Sequence, residues 1–468
     1  MPIDTTKTYH LVGIGGAGMS SLAWLLKERG ACVTGSDRSE SSVTERLRQS
    51  GIPVAIGHSV ENLAEADVVV VSAAILHENV ELEEARRRGL EVVWRADMLG
   101  RVMDDYRTRV AVAGTHGKTT TTAMVGLVLM EAGLDPTVLV GGDWEQISGN
   151  ARVGKSDLFV TEACEAFNSY LHLRPSVAVV TNVEPDHLDF HQDFEGVIRS
   201  FEKFLARVDK DGAVIACTDD PTARMLLKQW PLLPARLRGY GLAPRADLRA
   251  QDMRFSGLGS FSLLTLDERP LGELVLGVPG EKSILNALAA VAVGLDLGVP
   301  FEVIARALAK FTGVDRRFQI LGEVGGVTVV DDYAHHPTAI RATLGAARLA
   351  SPSSRVVSVF QPHLYSRTQF FLQDFADSLT GGDVVIITDV YAAREDPIPG
   401  AGAADIARLV NDRSPKKAEY VQNKDEVAGM LVDRLLPGDI VLVLGAGDVW
   451  EVGRELVRLL EERSRTEC

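Results

Sequence analysis

Arg109-Val110-Ala111-Val112-Ala113-Gly114-Thr115-His116-Gly117-Lys118-Thr119-Thr120-Thr121-Thr122 decides the fold. Residues 110–113 are a short apolar run, the pattern of a buried strand. Gly114 to Gly117 break that run, and Lys118 opens an apolar segment at 123–130 that reads as a helix. Strand, glycine loop and helix in this order make a phosphate cradle. Backbone N–H groups and the helix N-terminus face the anion, Lys118 adds a point charge, and a threonine hydroxyl can hold Mg²⁺. The candidate nucleotide contacts are therefore Gly114, Thr115, His116, Gly117, Lys118, Thr119 and Thr120. The loop is a short variant: the general pattern asks for glycine where Val112 stands, and Gly114 comes two positions later. The competing reading is a plain strand-to-helix turn.

Upstream, residues 10–14 read as a strand leading into Gly13-Ile14-Gly15-Gly16-Ala17-Gly18, which fits G-x-G-x-x-G. A helix is expected at 17–26 and a strand at 31–34, closing on Ser36-Asp37. Asp37 falls about twenty residues past the glycines, where a ribose-binding acid belongs. This predicts a nucleotide diphosphate at Gly15, Gly16, Ala17 and Gly18, with Ser36 and Asp37 beside it. A buried strand at 68–71 ends in Ser72-Ala73, small residues that suit close approach of a ligand. The run Glu81, Glu83, Glu84, Arg86, Arg87, Arg88 reads as a solvated helix face with i,i+4 pairing. Polar residues 100–108 mark the first boundary.

Downstream, a strand at 156–160 runs into Thr161-Glu162-Ala163-Cys164-Glu165. Two carboxylates at a strand's end beside a phosphate loop suggest Mg²⁺ ligation. Glu162 is taken as the ligand and Glu165 as a surface acid; Cys164 reads as a small buried residue. A strand at 177–181 leads into Asn182, Glu184, Asp186, His187, Asp189 and His191, a candidate second metal site. Residues 240–278 read as a small antiparallel elaboration, and 281–290 as a helix carrying Asn286. Residues 311–318, with Arg316-Arg317, form the second boundary. In the last third, strands at 327–330, 355–360, 384–388 and 440–444 each end in a polar cluster. These clusters hold Tyr333, His335 and His336; His363 and Arg367; Asp389 and Tyr391; and Gly445 to Asp448. The carboxyl edge of parallel strands is where open α/β sheets bind ligands, and His335 and Arg367 suit a carboxylate or phosphate.

Length, composition and charge set the frame. The 468 residues suggest about three domains. Apolar content of 46% and charged content of 24% are those of an ordinary globular protein. A net charge of −15 predicts a surface that repels nucleic acid. Cys32, Cys164, Cys217 and Cys468 form no C-x-x-C pair, which fits a reducing compartment. No apolar run is long enough to span a membrane and the first ten residues are polar, so no membrane and a cytoplasmic location are expected. The predicted architecture is α/β with three domains. They are a Rossmann-like N-terminal domain (1–108), a central P-loop-type mononucleotide-binding domain (109–313) and a C-terminal Rossmann-like domain (314–468).

Taken together, several motifs resemble the Mur ligases of peptidoglycan synthesis. They are Gly13 to Ser20, Gly114 to Thr121, Thr181-Asn182 with Asp186-His187, Arg316-Arg317-Phe318 and Asp331 to Pro337. Gln361-Pro362-His363, Ser366-Arg367-Thr368, Ala393-Arg394-Glu395 and Gly445 to Asp448 complete the set. They span all three predicted domains in family order. The resemblance implies that the first domain holds the UDP of UDP-N-acetylmuramate, the central one ATP with Mg²⁺, and the third L-alanine. It implies Thr119, Glu162 and His187 at the metal and Asn286 and Arg317 at the ATP. It implies Tyr333, His335 and Arg367 at the amino acid, with Lys118, Glu162, His187, His335 and Arg367 as the catalytic set. The chain departs from the family pattern at Cys164, Lys282-Ser283 and Leu364. The competing functions are a recycling ligase that adds a tripeptide to the same nucleotide, an NAD(P)-dependent oxidoreductase, and a nucleotide-binding regulator without catalysis. The assembly is expected to be a monomer or homodimer.

Overall fold

The structure, a computed structural model, describes residues 3–72, 75, 78–229, 236–393 and 395–466. Its strands form three sheets. The first contains β1 (Thr8–Val12), β2 (Cys32–Asp37), β3 (Val54–Ile56), β4 (Val68–Val71) and β5 (Glu91–Trp94), in the order β3-β2-β1-β4-β5. Every pairing in it is parallel. The order reverses direction at β1, so the Gly13–Gly18 turn opens at the switch point, the usual ligand crevice of such sheets. The helix at Ala17–Glu28 starts on Gly16 and buries Met19, Leu22, Leu25 and Leu26.

The second sheet contains β6 (Thr108–Ala113), β7 (Thr137–Trp144), β8 (Gly149–Arg152), β9 (Leu158–Glu162), β10 (Val177–Val180), β11 (Ala213–Cys217), β12 (Arg236–Gly241), β13 (Leu248–Ser256), β14 (Gly259–Leu266) and β15 (Arg269–Leu276). Its order is β15-β14-β13-β12-β11-β10-β6-β9-β7-β8. β6 lies between β10 and β9, parallel to both. The loops that follow β6, β9 and β10 therefore leave the same edge side by side. The connections Gly257-Leu258 and Asp267-Glu268 are only two residues long, which forces antiparallel hairpins. Asp267 and Glu268 both take positive φ, 48° and 64°, as such a tight turn demands. The antiparallel elaboration is thus present over β13–β15, while β12 to β13 is parallel.

The third sheet contains β16 (Gln319–Val324), β17 (Val327–Asp332), β18 (Val356–Phe360), β19 (Val384–Thr388), β20 (Ala418–Val421) and β21 (Ile440–Leu444), in the order β16-β17-β21-β18-β19-β20. Only the edge strand β16 is antiparallel. β18 and β21 are buried along their whole length, as apolar runs covered on both faces should be.

By packing, the chain falls into two compact units. One is residues 1–251 with 263–273 and 285–308; the other is 252–262 with 274–284 and 309–468. The helix at Arg95–Met103 runs through the expected polar boundary and buries Gly100, Val102 and Met103. A Cβ on Gly100 would lie 2.3 Å from the His172 carbonyl oxygen, so the helix packs directly on that segment.

Candidate active site

In the first unit, the glycine turn after β1 is held from β2. Gly13 and Ile14 donate backbone N–H bonds to the Ser36 carbonyl at 2.8 and 2.9 Å. Gly13 has φ +77°, a conformation that costs glycine little. Gly15 N–H donates to the Asp37 carboxylate at 2.8 Å. A Cβ at Gly15 would lie 2.9 Å from that oxygen, and one at Gly18 would meet the Arg95 guanidinium at 3.0 Å. Gly16 caps the helix and Ala17 begins it, with the Ala17 carbonyl accepting from Asn150 Nδ2 at 2.8 Å.

Two expectations change here. The Ser36 side chain is fully buried and donates to Glu81 at 2.6 Å, so Ser36 shapes the turn through its backbone and does not offer its hydroxyl to a ligand. Glu81 lies inside and is not part of a solvated face. It accepts from Ser36, from Asn62 Nδ2 at 2.6 Å and from Ser59 N–H at 3.2 Å, with His58 at 3.3 Å and His10 at 3.7 Å. Burial alone would raise its pKa, but the His10 ring, Ser36 and Asn62 together bring it down to about 2. The expected i,i+4 pairing does hold for Glu84 with Arg88, at 2.5 Å, and Arg87 joins it at i,i+3, at 2.6 Å. Ser72 follows β4 and is half-buried; Ala73 lies outside the described residues.

The phosphate loop is built as its glycines require. Gly114 and Gly117 take φ +131° and +82°. A Cβ on Gly114 would sit 2.0 Å from Thr181 Oγ1, and one on Gly117 2.5 Å from Asn286 Oδ1. Asn286 therefore abuts the phosphate turn itself. The turn is laced to the loop after β10. Thr115 N–H donates to the Asn182 carbonyl at 3.0 Å, His116 N–H to Asn182 Oδ1 at 2.9 Å, and Thr181 Oγ1 to the His116 carbonyl at 2.6 Å. Thr119 and Thr120 stand in the first turn of the helix at Lys118–Glu131, Thr119 buried and Thr120 half-buried.

Lys118 Nζ donates to the Gly114 carbonyl at 2.6 Å, the Thr115 carbonyl at 3.2 Å and both Glu165 oxygens at 3.0 and 2.8 Å. Burial pulls the ammonium pKa down, but Glu165, with Cys164 and Glu162 near, outweighs it, and the net direction is up. The ammonium therefore stays charged at neutral pH. The half-buried thiol of Cys164 is pushed up by desolvation and by Glu165 beside it, so it stays protonated.

The two acids after β9 lie in different surroundings. Glu165 is buried, and its carboxylate lies with Asp186 and His187 in a group whose ligand atoms are all within 4.8 Å of one another. Glu162 instead accepts the Gly141 N–H of the neighbouring strand β7. The acids after β9 and the polar cluster after β10 thus meet at one place, with His187 in a left-handed conformation at φ +52°. Carboxylate oxygens and an imidazole suit a hard divalent cation. The sequence could have pointed to Glu165 only through the turn that follows it, where Phe167 and Asn168 fold the chain back.

In the second unit, the polar clusters line the carboxyl edge of the third sheet. Arg316 and Arg317 stand over the Tyr333 ring at 5.0 and 4.8 Å from its centroid. Arg316 also donates to the Gly445 carbonyl at 2.7 Å. The Tyr333 and His335 rings meet edge-on at 5.1 Å, and His335 Nδ1–H donates to the Tyr333 carbonyl at 2.8 Å, which sets its tautomer. His363 stacks on Tyr391 at 5.5 Å, and the Arg367 guanidinium donates to His363 Nδ1 at 3.3 Å. Tyr333, His335, Arg317 and Arg367 thus share one edge. His336 is buried and caps the helix at Pro337–Ala350. Burial pushes Asp331 up to about 6 although Arg316 lies 3.4 Å away.

Three α/β sheets with polar loops at their strand ends, one of them a lysine-bearing phosphate loop, define a nucleotide-using enzyme class. Residues 8–107 match the family model of the Mur ligase catalytic domain, 112–294 that of the Mur ligase middle domain, and 316–447 that of the Mur ligase glutamate ligase domain. The chain belongs to the Mur ligase family, whose members use ATP. The UDP-N-acetylmuramate–L-alanine ligase of Salinibacter ruber is 46% identical to it over 98% of this chain and 96% of its own. Among solved structures, the UDP-N-acetylmuramate-alanine ligase of Thermotoga maritima matches with a TM-score of 0.84 at 28% identity, covering 98% of this chain and 100% of that one. A murein peptide ligase from Psychrobacter arcticus shares the fold, with a TM-score of 0.71 at 24% identity over 97% and 98% of the two chains.

Proposed function

We propose that the chain joins L-alanine to the lactyl carboxylate of UDP-N-acetylmuramate, converting ATP to ADP and phosphate by way of an acyl phosphate. A carboxylate at neutral pH resists attack by an amine, so it needs a better leaving group, which phosphorylation supplies. The observation that carries this reading is the convergence of Lys118, Glu165, Asp186 and His187 on one sheet edge. Identity at 46% along almost the whole length supports the alanine-adding reading over the peptide-adding one. The fingerprint at Gly13 to Asp37 is read as a UDP site, since a dehydrogenase would leave Lys118 idle.

Mg²⁺ is part of the proposal. Glu165, Asp186 and His187 would hold it, with Thr119 beside the phosphates, and it would neutralise charge on the phosphoryl group. Glu165 is proposed in the role the resemblance gives Glu162, and Glu162, whose carboxylate accepts the Gly141 N–H, is proposed to position the strand. Lys118 and the turn from Gly114 to Gly117 bind and orient the phosphates. Tyr333, His335 and Arg367 are proposed to bind the amino acid, Arg367 through its carboxylate. Arg317 and Asn286 are proposed at the ATP. The three functional divisions 1–108, 109–313 and 314–468 and a cytoplasmic location belong to the same reading. No helix among the described residues is long and apolar enough to cross a membrane. The test is phosphate release measured with ATP and Mg²⁺: it should require both UDP-N-acetylmuramate and L-alanine, and release that ignores either substrate overturns the reading.

A further inference from the structure

Two aromatic side chains sit exposed beside the metal-binding group. Phe167 is 41% and Phe190 is 40% accessible. Their rings touch edge to face, with centroids 5.5 Å apart at 68°. Phe167 is two residues beyond Glu165 and Phe190 three beyond His187, so neither Cα lies more than about 11 Å from those ligands' own. The pair is held in place. Phe167 and Asn168 are consecutive left-handed residues, with φ of 53° and 56°, a strained conformation that persists only where neighbours enforce it. Asn168 N–H donates to the Glu165 carbonyl at 3.0 Å, and its side chain accepts from Ser200, which in turn accepts from the buried Tyr170 at 2.9 Å. On the other side, His191 Nε2–H donates to the Glu165 carbonyl at 3.2 Å and tucks edge-on against Phe190 at 5.0 Å. Both segments thus fix an apolar face outward at the point where the acyl acceptor must arrive.

We propose that Phe167 and Phe190 form the platform on which the pyranose ring of the acceptor rests, resting this on the function proposed above. In-line transfer puts the acceptor carboxylate beyond the γ-phosphoryl, opposite the leaving ADP. The adenine lies three phosphates away from that side. L-Alanine has no ring face to offer. The uridine belongs to the Gly13 turn, a diphosphate away from the sugar. The pyranose, joined to its carboxylate by one short lactyl arm, is the ligand part with a flat C–H face in reach. An aromatic wall flanking a few polar groups is the usual lining of such sites.

The test measures dissociation constants for UDP, UDP-N-acetylmuramate and a non-hydrolysable ATP analogue in wild type, Phe167→Ala, Phe190→Ala and Phe167→Trp. Both alanine variants should bind UDP-N-acetylmuramate roughly 5- to 20-fold more weakly. UDP and the ATP analogue should be unaffected, the KM for the acceptor should rise with kcat held, and Phe167→Trp should restore affinity. Unchanged acceptor affinity, or a loss shared by UDP or the ATP analogue, overturns the platform. A wild-type chain that releases no phosphate with acceptor and alanine overturns instead the function on which it rests. Thermal melts accompany each variant; should Phe167→Ala unfold, Phe190→Ala and Phe167→Trp decide.

Discussion

At the scale of single residues, Lys118 and Glu165 do the sorting. Each satisfies the other inside the loop, so removing one leaves a buried charge alone, which is costly. Lys118→Met should lower turnover by roughly 10²- to 10³-fold in the phosphate-release assay. It should also lower the melting temperature; adding Glu165→Gln should recover the melting temperature and not the turnover. A double variant that regains activity would remove the charge on Lys118 from the chemistry. The two acids separate in the same assay. Glu165→Gln should lose roughly 10²-fold or more, since the proposed cation would lose a charged ligand. Glu162→Gln keeps an oxygen for the Gly141 N–H and should stay within about threefold of wild type. The reverse ranking would restore Glu162 as the ligand.

Among the elements, the buried Glu81 ties β1, β2, the turn near residue 59 and the helix at Val80–Arg88 together. Its pKa of about 2 in the fold lies below the ordinary 4.5. The ionised carboxylate therefore stabilises the fold fully above about pH 4.5, and this is lost as pH falls from there toward 2. The shift corresponds to about 3 kcal/mol. Wild-type melting temperature should drop steeply across that window, and Glu81→Gln should flatten the drop; parallel curves would deny Glu81 this part. Elements like these were unevenly legible in the chain. β4, β11 and β21 begin and end where their apolar runs do, because parallel strands buried on both faces leave no polar residue to blur the edge. β7 escaped notice because Gly141-Gly142 interrupts it and its second half is partly open to solvent. Glu81 looked solvated because it shares a helix with five other charges, and nothing local shows which of them turns inward. Glu162 and Glu165 are three residues apart, and nothing local in the sequence shows that Glu165 meets Lys118 while Glu162 accepts the Gly141 N–H. Phe167 and Phe190 carry no signal of exposure, since aromatic residues are more often core. The phosphate loop was legible because its positive-φ glycines have few other uses, and the glycine fingerprint because Gly15 and Gly18 leave no room for a side chain beside Asp37 and Arg95.

For the molecule as a whole, three sheets present their ligand loops at carboxyl edges, and similarity to alanine ligases extends along 98% of the chain. The acceptor amine is the property that belongs to this scale. With ATP, Mg²⁺ and UDP-N-acetylmuramate fixed, free L-alanine should sustain phosphate release, and the tripeptide should give less than about a hundredth of its kcat/KM, a difference near 3 kcal/mol. Equal rates with both would favour the recycling ligase. The Lys118–Glu165 pair has a final consequence. In the resting loop each ion is the other's counterweight. An anion that claims the ammonium strips the carboxylate, and a cation that claims the carboxylate frees the ammonium. The two arrivals are thus thermodynamically linked: each must tighten the other by an identical factor. With the cation seated on Glu165 as proposed, such a loop would discriminate against a polyphosphate that comes without its cation, a selectivity lodged in one ion pair and exercised before any bond is made.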